Sequence, residues 1–331
     1  MKHLIVLNQK AGADKKLEEF KARVDEAFKG LDYEVYLTEG PRAVIPFLKN
    51  YLANTKDTVR VYACGGDGTV HEVVNGIVGF KNAELAVLAV GTGNDFVKIY
   101  SEEKDWENIA KNQTGAKRFQ DFKALINGTI QEIDISKVTG GSLQEPWYSN
   151  NVVNFGFDAI VGAKGNENKL KGKKDPYGPA AIIPAILGGR FNKTIIKVDG
   201  EQINKRRLLL GSLSQGQWVG GQYHASPKSD NTDGLIDVVM LKCMSLARLM
   251  IQFFGPYTKG EHLDNPKLLK RIVYRRGKVV DVIGEKEIDI CVDGEIVRGK
   301  EFRVEVMPKA IKFVIPAIRM IKSSTTIILQ E

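Results

Sequence analysis

The stretch VYACGGDGTVHEVVNG, residues 61–76, joins an apolar run to a loop of glycines around one aspartate, and then to a helical pattern. Amides of a glycine-rich turn feeding a helix amino terminus offer several N–H donors and the positive end of a dipole to an anion. Gly65, Gly66 and Gly68 suit that use, because a β-carbon there would hold a phosphate off the backbone. Thr69 followed by Glu72 reads as a capping box that starts the helix. Asp67 does not fit a purely anionic site, since a carboxylate beside phosphate repels it unless screened. Asp67 is therefore expected to face a cation, Mg²⁺ above all, or a sugar hydroxyl; either role implies a nucleotide polyphosphate. A second loop, GTGND at 91–95, adds Gly91, Thr92, Gly93 and Asn94.

Other carboxylates sit in turn-like contexts. DGE occurs twice, at Asp199–Glu201 and Asp293–Glu295, and Asp-Gly after alternating apolar residues is a strong hairpin signal. On spacing alone either is a plain turn, and so is SDNTDG at 229–234. No GxxxxGK[ST] is present, so this is not an ordinary P-loop enzyme, and no GxGxxG follows the first strand, which weakens a dehydrogenase reading. Neither a Ser-His-Asp nor a Cys-His set stands out.

The elements that must position these loops alternate in type. HLIVLN (3–8), YEVYLT (33–38), VRVYAC (59–64) and AELAVLAV (83–90) read as strands. LEEFKARVDEAFKG (17–30) carries Leu17, Phe20, Val24, Ala27 and Phe28 at helical spacing, with Gly30 as a stop, and a further helix is expected over 43–54. Three strands end in glycine-bearing loops, NQKAG, CGGDGT and VGTGND, and in a parallel sheet those ends share one edge. From about residue 130 strand-like pieces separated by turns take over: TIQEIDISKV, WYSNNVVNFGF, KTIIKVDGEQI, RRLLLGSLS, GLIDVVML, IDICVDGEIV and EFRVEVM, with ARLMIQFF as a helical candidate. The expected fold is α/β plus all-β: an N-terminal doubly wound parallel sheet, 1–130, that binds nucleotide, and a C-terminal antiparallel β-sandwich, 131–305, that binds substrate. The segment from about 306 to 331 suits either domain and is free to pack back onto the first.

The chain has 331 residues, a formal net charge of +8 and three cysteines without paired spacing. No disulfide framework or zinc knuckle follows, which points to a reducing cytosol. The longest apolar runs, such as AAIIPAILGG at 180–189, are too short to span a bilayer. The start, KHLIVLN, has no separate hydrophobic core and cleavage site, so a cytoplasmic protein is expected. Basic charge favours anionic partners. The densest basic run, KGNENKLKGKK at 164–174, reads as a solvated loop, with contact to a membrane surface as the alternative; nucleic acid is not expected.

GGDGTVHEVVNG together with GTGNDF resembles the diacylglycerol-kinase catalytic family, in particular its bacterial soluble lipid kinases, and is more distantly similar to sphingosine kinases, NAD kinases and phosphofructokinases. The resemblance spans nearly the whole chain, because WYSNNVVNFGFDAIV (147–161), GQWVGGQYHASPKSDNTDGLIDVVML (216–241) and CVDGE (291–295) follow in the family's order. It implies transfer of the ATP γ-phosphate to the hydroxyl of diacylglycerol or a related lipid, giving phosphatidic acid. It also implies Mg²⁺, a lipid substrate met peripherally at the anionic inner face of the membrane, and a homodimer. The rivals are a kinase for a soluble acceptor such as NAD and a nucleotide-binding regulator without transfer activity.

The resemblance also assigns residues. Asn8, Gln9, Lys10, Ala11 and Gly12 match the first phosphate loop, with Gln9 where proline is usual. Thr38, Gly65, Gly66, Asp67, Gly68, Thr69, Val70, His71, Glu72, Asn75, Gly91, Thr92 and Gly93 complete the ATP contacts, while Asn94 and Asp95 brace the loop or reach the metal network. A structural Mg²⁺ falls to the Asp233 side chain and the carbonyls of Asp230 and Leu235, tying that loop to Asp67 and Asp134. Asp293 matches the carboxylate that accepts the lipid hydroxyl proton, with Asp67 as its catalytic companion and Asp199 as a built-in control. An ordinary aspartate, of pKa about 4, is a weak base, but a loose phosphoryl-transfer transition state needs little nucleophile activation. The imidazoles of His71 and His224 read as polar surface or support.

Overall fold

A computed structural model describes residues 1–8, 14–100, 115–172, 185, 193–205, 207–245 and 248–317, without the side chains of 14–16, 115–116 and 169–170. Gln9, Lys10, Ala11 and Gly12 lie outside the described residues, as do 173–174 of the basic run and all of 180–189 except Ala185.

In the first half, strands β1 (Lys2–Leu7), β2 (Tyr33–Leu37), β3 (Val59–Gly65) and β4 (Ala83–Ala89) alternate with helices α1 (Asp14–Ala27), α2 (Val44–Ala53) and α3 (Asp67–Ile77). The four strands are parallel in the spatial order β2-β1-β3-β4. β3 and β4 are buried at every position, which explains their unbroken runs of apolar residues: both sheet faces are covered. Chain direction across the sheet reverses between β1 and β3, and open α/β sheets bind ligands at the carboxyl edge of such a switch. At the opposite edge Arg60 pairs with Glu84 at 2.8 Å, while its Nη1 donates to the carbonyls of Leu125 and Ile126. A buried pair held by that many hydrogen bonds satisfies the guanidinium that burial would otherwise penalise.

The second half is antiparallel, as its turn-punctuated grammar predicts. It contains β5 (Thr129–Gly140), β6 (Trp147–Ser149), β7 (Val152–Gly156), β8 (Thr194–Val198), β9 (Glu201–Gln202), β10 (Leu208–Ser214), β11 (Ile236–Lys242), β12 (Ile272–Gly277), β13 (Val279–Val292) and β14 (Glu295–Ile315). The two halves are one hydrogen-bonded sheet. β14 pairs with β13 at its start and with β5 further on, and Phe313 then pairs parallel to Leu85 of β4. Ile311, Phe313 and Val314 share the first half's core with Leu4, Val61 and Leu85. Where β14 shifts register, Lys309 takes a φ of 53° and its N–H donates to Asp134 Oδ1 at 2.7 Å. Asp134 Oδ2 accepts from the Gly234 amide at 2.6 Å, so one fully buried carboxylate ties the bulge to the 230–235 loop.

Two sequence expectations are corrected, and two strand segments lie where the sequence signals none. FDAIVGAKGNENKL forms a helix, α5 (Phe157–Leu170), so the basic run at 164–170 is helical and not a loop. Glu167 pairs with Lys164 and Lys171, three and four residues away, which offsets the like charges along that face. The strands β12 and early β13 come from RIVYRRGKVVDVI, whose charges masked them; Arg275 of β12 is exposed. Lastly, the capping box does not form: α3 begins at Asp67 with Gly66 as its N-cap and no side-chain cap.

Candidate active site

The GGDGT loop is laced to the GTGND loop. A β-carbon on Gly91 would lie 2.3 Å from Gly66 Cα, so only two glycines allow this backbone approach. Asp67 Oδ1 accepts the Asp95 amide at 2.7 Å and the Phe96 amide at 3.4 Å. Burial, and then the charge of Asp95, pushes the Asp67 carboxyl up to about 6. Asn94, at φ 50°, closes its own loop by accepting from the Gly91 N–H and donating to the Gly91 carbonyl. The carboxylate that looked out of place among the glycines thus uses one oxygen to hold the second loop in register.

Around this cradle, Thr38 donates its N–H to Leu7 O and so stands beside the end of β1. Asn8 Nδ2 reaches Thr69 Oγ1 at 3.4 Å. The Thr69 side chain fills the space a β-carbon on Gly65 would need, so that glycine answers to Thr69 and not to a ligand. Val70 is core. Gly68 differs: nothing lies within 4 Å of where its β-carbon would be, and Thr92 is exposed nearby in chain position to the second loop's tip. Thr69 makes the first amide bond of α3, to Gly66 O, so the amides of Asp67 and Gly68 precede the intrahelical ladder. This donor set fits a phosphate chain.

The second half reaches the cradle at two points. Asp95 accepts the Gly221 amide on both oxygens and pairs with Lys98 at 2.7 Å, while Lys98 also donates to Gly221 O. Asn75 spends its amide on backbone: Nδ2 donates to the carbonyls of His71 and Tyr148, and Oδ1 accepts the Tyr148 N–H. Asn75 thus clamps α3 to β6. Beneath it, His71 Nδ1 lies 3.1 Å from Asp293 Oδ2, with side-chain exposures of 6 % and 3 %. Asp293 also accepts from Ser149 Oγ (2.7 Å) and from the amides of Asn150 (3.0 Å), Asn151 (3.2 Å) and Val152 (2.9 Å). His71, expected at the surface or as generic support, is buried against the very aspartate the resemblance singled out; a histidine one helical turn after Asp67 was the available signal. His224 stacks on Trp218 with 4.2 Å between ring centroids, and its Nε2 lies 3.1 Å from Gln217 Oε1.

Two of the expected magnesium ligands, Asp233 and the Leu235 carbonyl, are engaged within the protein. Asp233 pairs with Arg276 and accepts the Leu235 N–H, and the Leu235 carbonyl accepts from Gln215 Nε2; at Asp230 the expected ligand is the backbone carbonyl, while the side-chain Oδ1 accepts from the Thr232 amide and hydroxyl. In this arrangement Arg276 occupies the one carboxylate of the set, so Asp233 is not an open ligand of the kind Mg²⁺ takes. Among the described residues no group of three or more His, Cys, Asp or Glu side chains is placed to hold a metal ion. Nearby, Tyr274 donates to Asp237, whose carboxyl burial raises to about 6.

A parallel α/β half with a glycine cradle, joined to an antiparallel half that delivers a carboxylate to the second turn of α3, has the build of a two-part phosphotransferase. The chain belongs to the diacylglycerol kinase catalytic-domain family: the model for that domain matches residues 2–138, and the YegS C-terminal NAD kinase beta sandwich-like domain matches 151–315. A diacylglycerol kinase of Bacillus subtilis is 27% identical over 240 residues, covering 71% of this chain and 70% of that protein. A Pseudomonas aeruginosa protein named "Probable lipid kinase YegS-like" is 27% identical over 325 residues, 96% of this chain and 95% of that one. Among solved structures, a diacylglycerol kinase from Bacillus anthracis superposes with a TM-score of 0.64 at 18% identity, covering 95% of this chain and 96% of that one. Yeast NADH kinase complexed with NADH gives 0.50 at 11%, over 96% and 83%. These two likenesses concern the fold.

Proposed function

We propose that this chain is an ATP-dependent lipid kinase that moves the γ-phosphoryl group to the hydroxyl of diacylglycerol or a closely related lipid, giving phosphatidic acid. The observation that carries the reading is the meeting of His71 and Asp293, which brings the β13–β14 turn of the second half onto the helix whose first turn belongs to the glycine cradle. Asp67 and His71 are four residues apart on α3, about 6 Å along its axis. A phosphate chain on the cradle and an acceptor beside Asp293 then face one cleft. Family membership and relatives named diacylglycerol kinase support the acceptor class.

ATP supplies an activated phosphoryl group; the chain supplies placement. The Asp67 and Gly68 amides and the end of β1 hold the phosphates, Asp67 keeps the two glycine loops at fixed spacing, and the Asp95–Gly221–Lys98 contact holds the halves together. Placement of this kind dominates where the transition state is loose. A net charge of +8 supports peripheral approach to an anionic surface, and among the described residues no helix is long and apolar enough to cross a membrane.

The test is a phosphorylation screen with radiolabelled ATP against diacylglycerol, monoacylglycerol, ceramide, sphingosine and phosphatidylglycerol in mixed micelles, with NAD as a soluble arm. Labelled phosphatidic acid is the expected product. Label on NAD alone would end the lipid reading.

A further inference from the structure

In this arrangement protein donors fill the acceptor positions of Asp293. A carboxylate offers about four acceptor positions, and this one receives five donors: Ser149 Oγ, three backbone amides and His71. A proton acceptor must meet the hydroxyl it deprotonates at hydrogen-bond distance, and those places are taken. His71 is differently placed. With Nδ1 held 3.1 Å from a carboxylate oxygen, which has no hydrogen to give, Nδ1 is the donor, and in the neutral imidazole Nε2 then keeps a lone pair. Among the described residues Nε2 has one polar neighbour, Asn75 Nδ2 at 3.5 Å, and both hydrogens of that amide are spent on the carbonyls of His71 and Tyr148. Oδ1 of the same side chain accepts the Tyr148 N–H, which fixes the amide's orientation. His71 and Asn75 line a small pocket, about 50 Å³, with Arg42, Glu72, Trp147 and Glu295. Arg42 stacks over Trp147 at 4.5 Å and pairs with Glu295 at 3.5 Å across it.

We propose that His71 is the proton acceptor of the reaction and that Asp293 positions it, a proposal that rests on the kinase reading above. The acceptor's O–H bond breaks as its oxygen bonds to the γ-phosphorus. The bond from that phosphorus to the departing ADP oxygen breaks, its electron pair leaving with ADP, and the proton lands on His71 Nε2. The imidazolium so formed is stabilised through Nδ1–H by the Asp293 carboxylate and returns its proton to water after product leaves.

His71→Asn separates the roles, because its amide can still donate to Asp293 but has no Nε2 lone pair. With the lipid acceptor that the wild-type protein phosphorylates, kcat is expected to fall at least about tenfold. General-base effects run about 10²–10⁴-fold, and a loose transition state sits at the low end. ATP affinity by calorimetry should stay within about twofold, which also reports that the fold is intact. His71→Ala should regain turnover on addition of imidazole, and that rescue should vanish in the His71→Ala/Asp293→Asn double variant, a readout that a merely structural Asp293 would not move. Undiminished kcat in His71→Asn, or no imidazole rescue in an ATP-binding His71→Ala, overturns the relay alone. A wild-type protein that phosphorylates no hydroxyl overturns the relay together with the kinase reading.

Discussion

Asp199 and Asp293 occupy the same tripeptide and the same left-handed backbone, with φ of 49° and 48°. Their surroundings divide them. Asp199 Oδ1 accepts the amides of Lys278 and Val279 in an exposed hairpin corner, whereas Asp293 is enclosed between β6–β7 and α3. Asp199→Asn is expected to leave turnover within about twofold and to cost on the order of 1 kcal/mol, the worth of an ordinary hydrogen bond. Asp293→Asn should keep ATP binding and lose most of kcat, since an amide NH₂ in place of an acceptor oxygen opposes the N–H donors around it. Steady-state kinetics on the pair, with urea titrations, checks this; equal kinetic losses would refute the distinction. A reader of the sequence sees two identical DGE turns and needs the family's order to choose between them. The 222 residues separating His71 from Asp293 lie beyond any local pattern.

At the scale of the element, the loop glycines do different jobs. Gly91 and Gly66 touch backbone to backbone, whereas Gly68 faces open space in the first turn of α3. Alanine at 91 should therefore cost about 1–3 kcal/mol through overpacking and lower the melting midpoint. Alanine at 68 should leave the midpoint unchanged or slightly higher, because alanine suits a helix better than glycine, yet raise KM for ATP. Thermal melts beside ATP titrations separate the two, and a destabilised Gly68→Ala of normal KM would refute the assignment. The sequence announces that both loops are close-packed; which glycine serves packing and which faces open space depends on a contact across two loops.

Across the whole molecule, stability should depend on buried carboxyls. Burial raises Asp67 to about 6, Asp158 to about 7 and Asp237 to about 6. Each folded value lies above the unfolded one, so the native state holds more protons between about pH 4 and those values. Their contribution to stability is fully present below about pH 4 and is lost as pH rises to about 7. Asp158, at the start of α5 with Tyr257 donating to it, is the one to test. Asp158→Asn should raise the melting midpoint at pH 8 relative to wild type and narrow the difference at pH 5. An unchanged pH profile would contradict the burial argument.

Composition and periodicity alone determined the two-part architecture: apolar runs ending in glycines predict a parallel sheet buried on both faces, and alternating runs broken by turns predict the antiparallel half. These are local signals, because strand and helix periods are read within ten or so residues. Only the tertiary structure decided that β14 stitches both halves into one sheet, that Asp67 faces a neighbouring loop, and that a histidine on α3 meets an aspartate from the last hairpin. Contacts between distant residues depend on how whole elements pack, and no spacing along the chain encodes that directly.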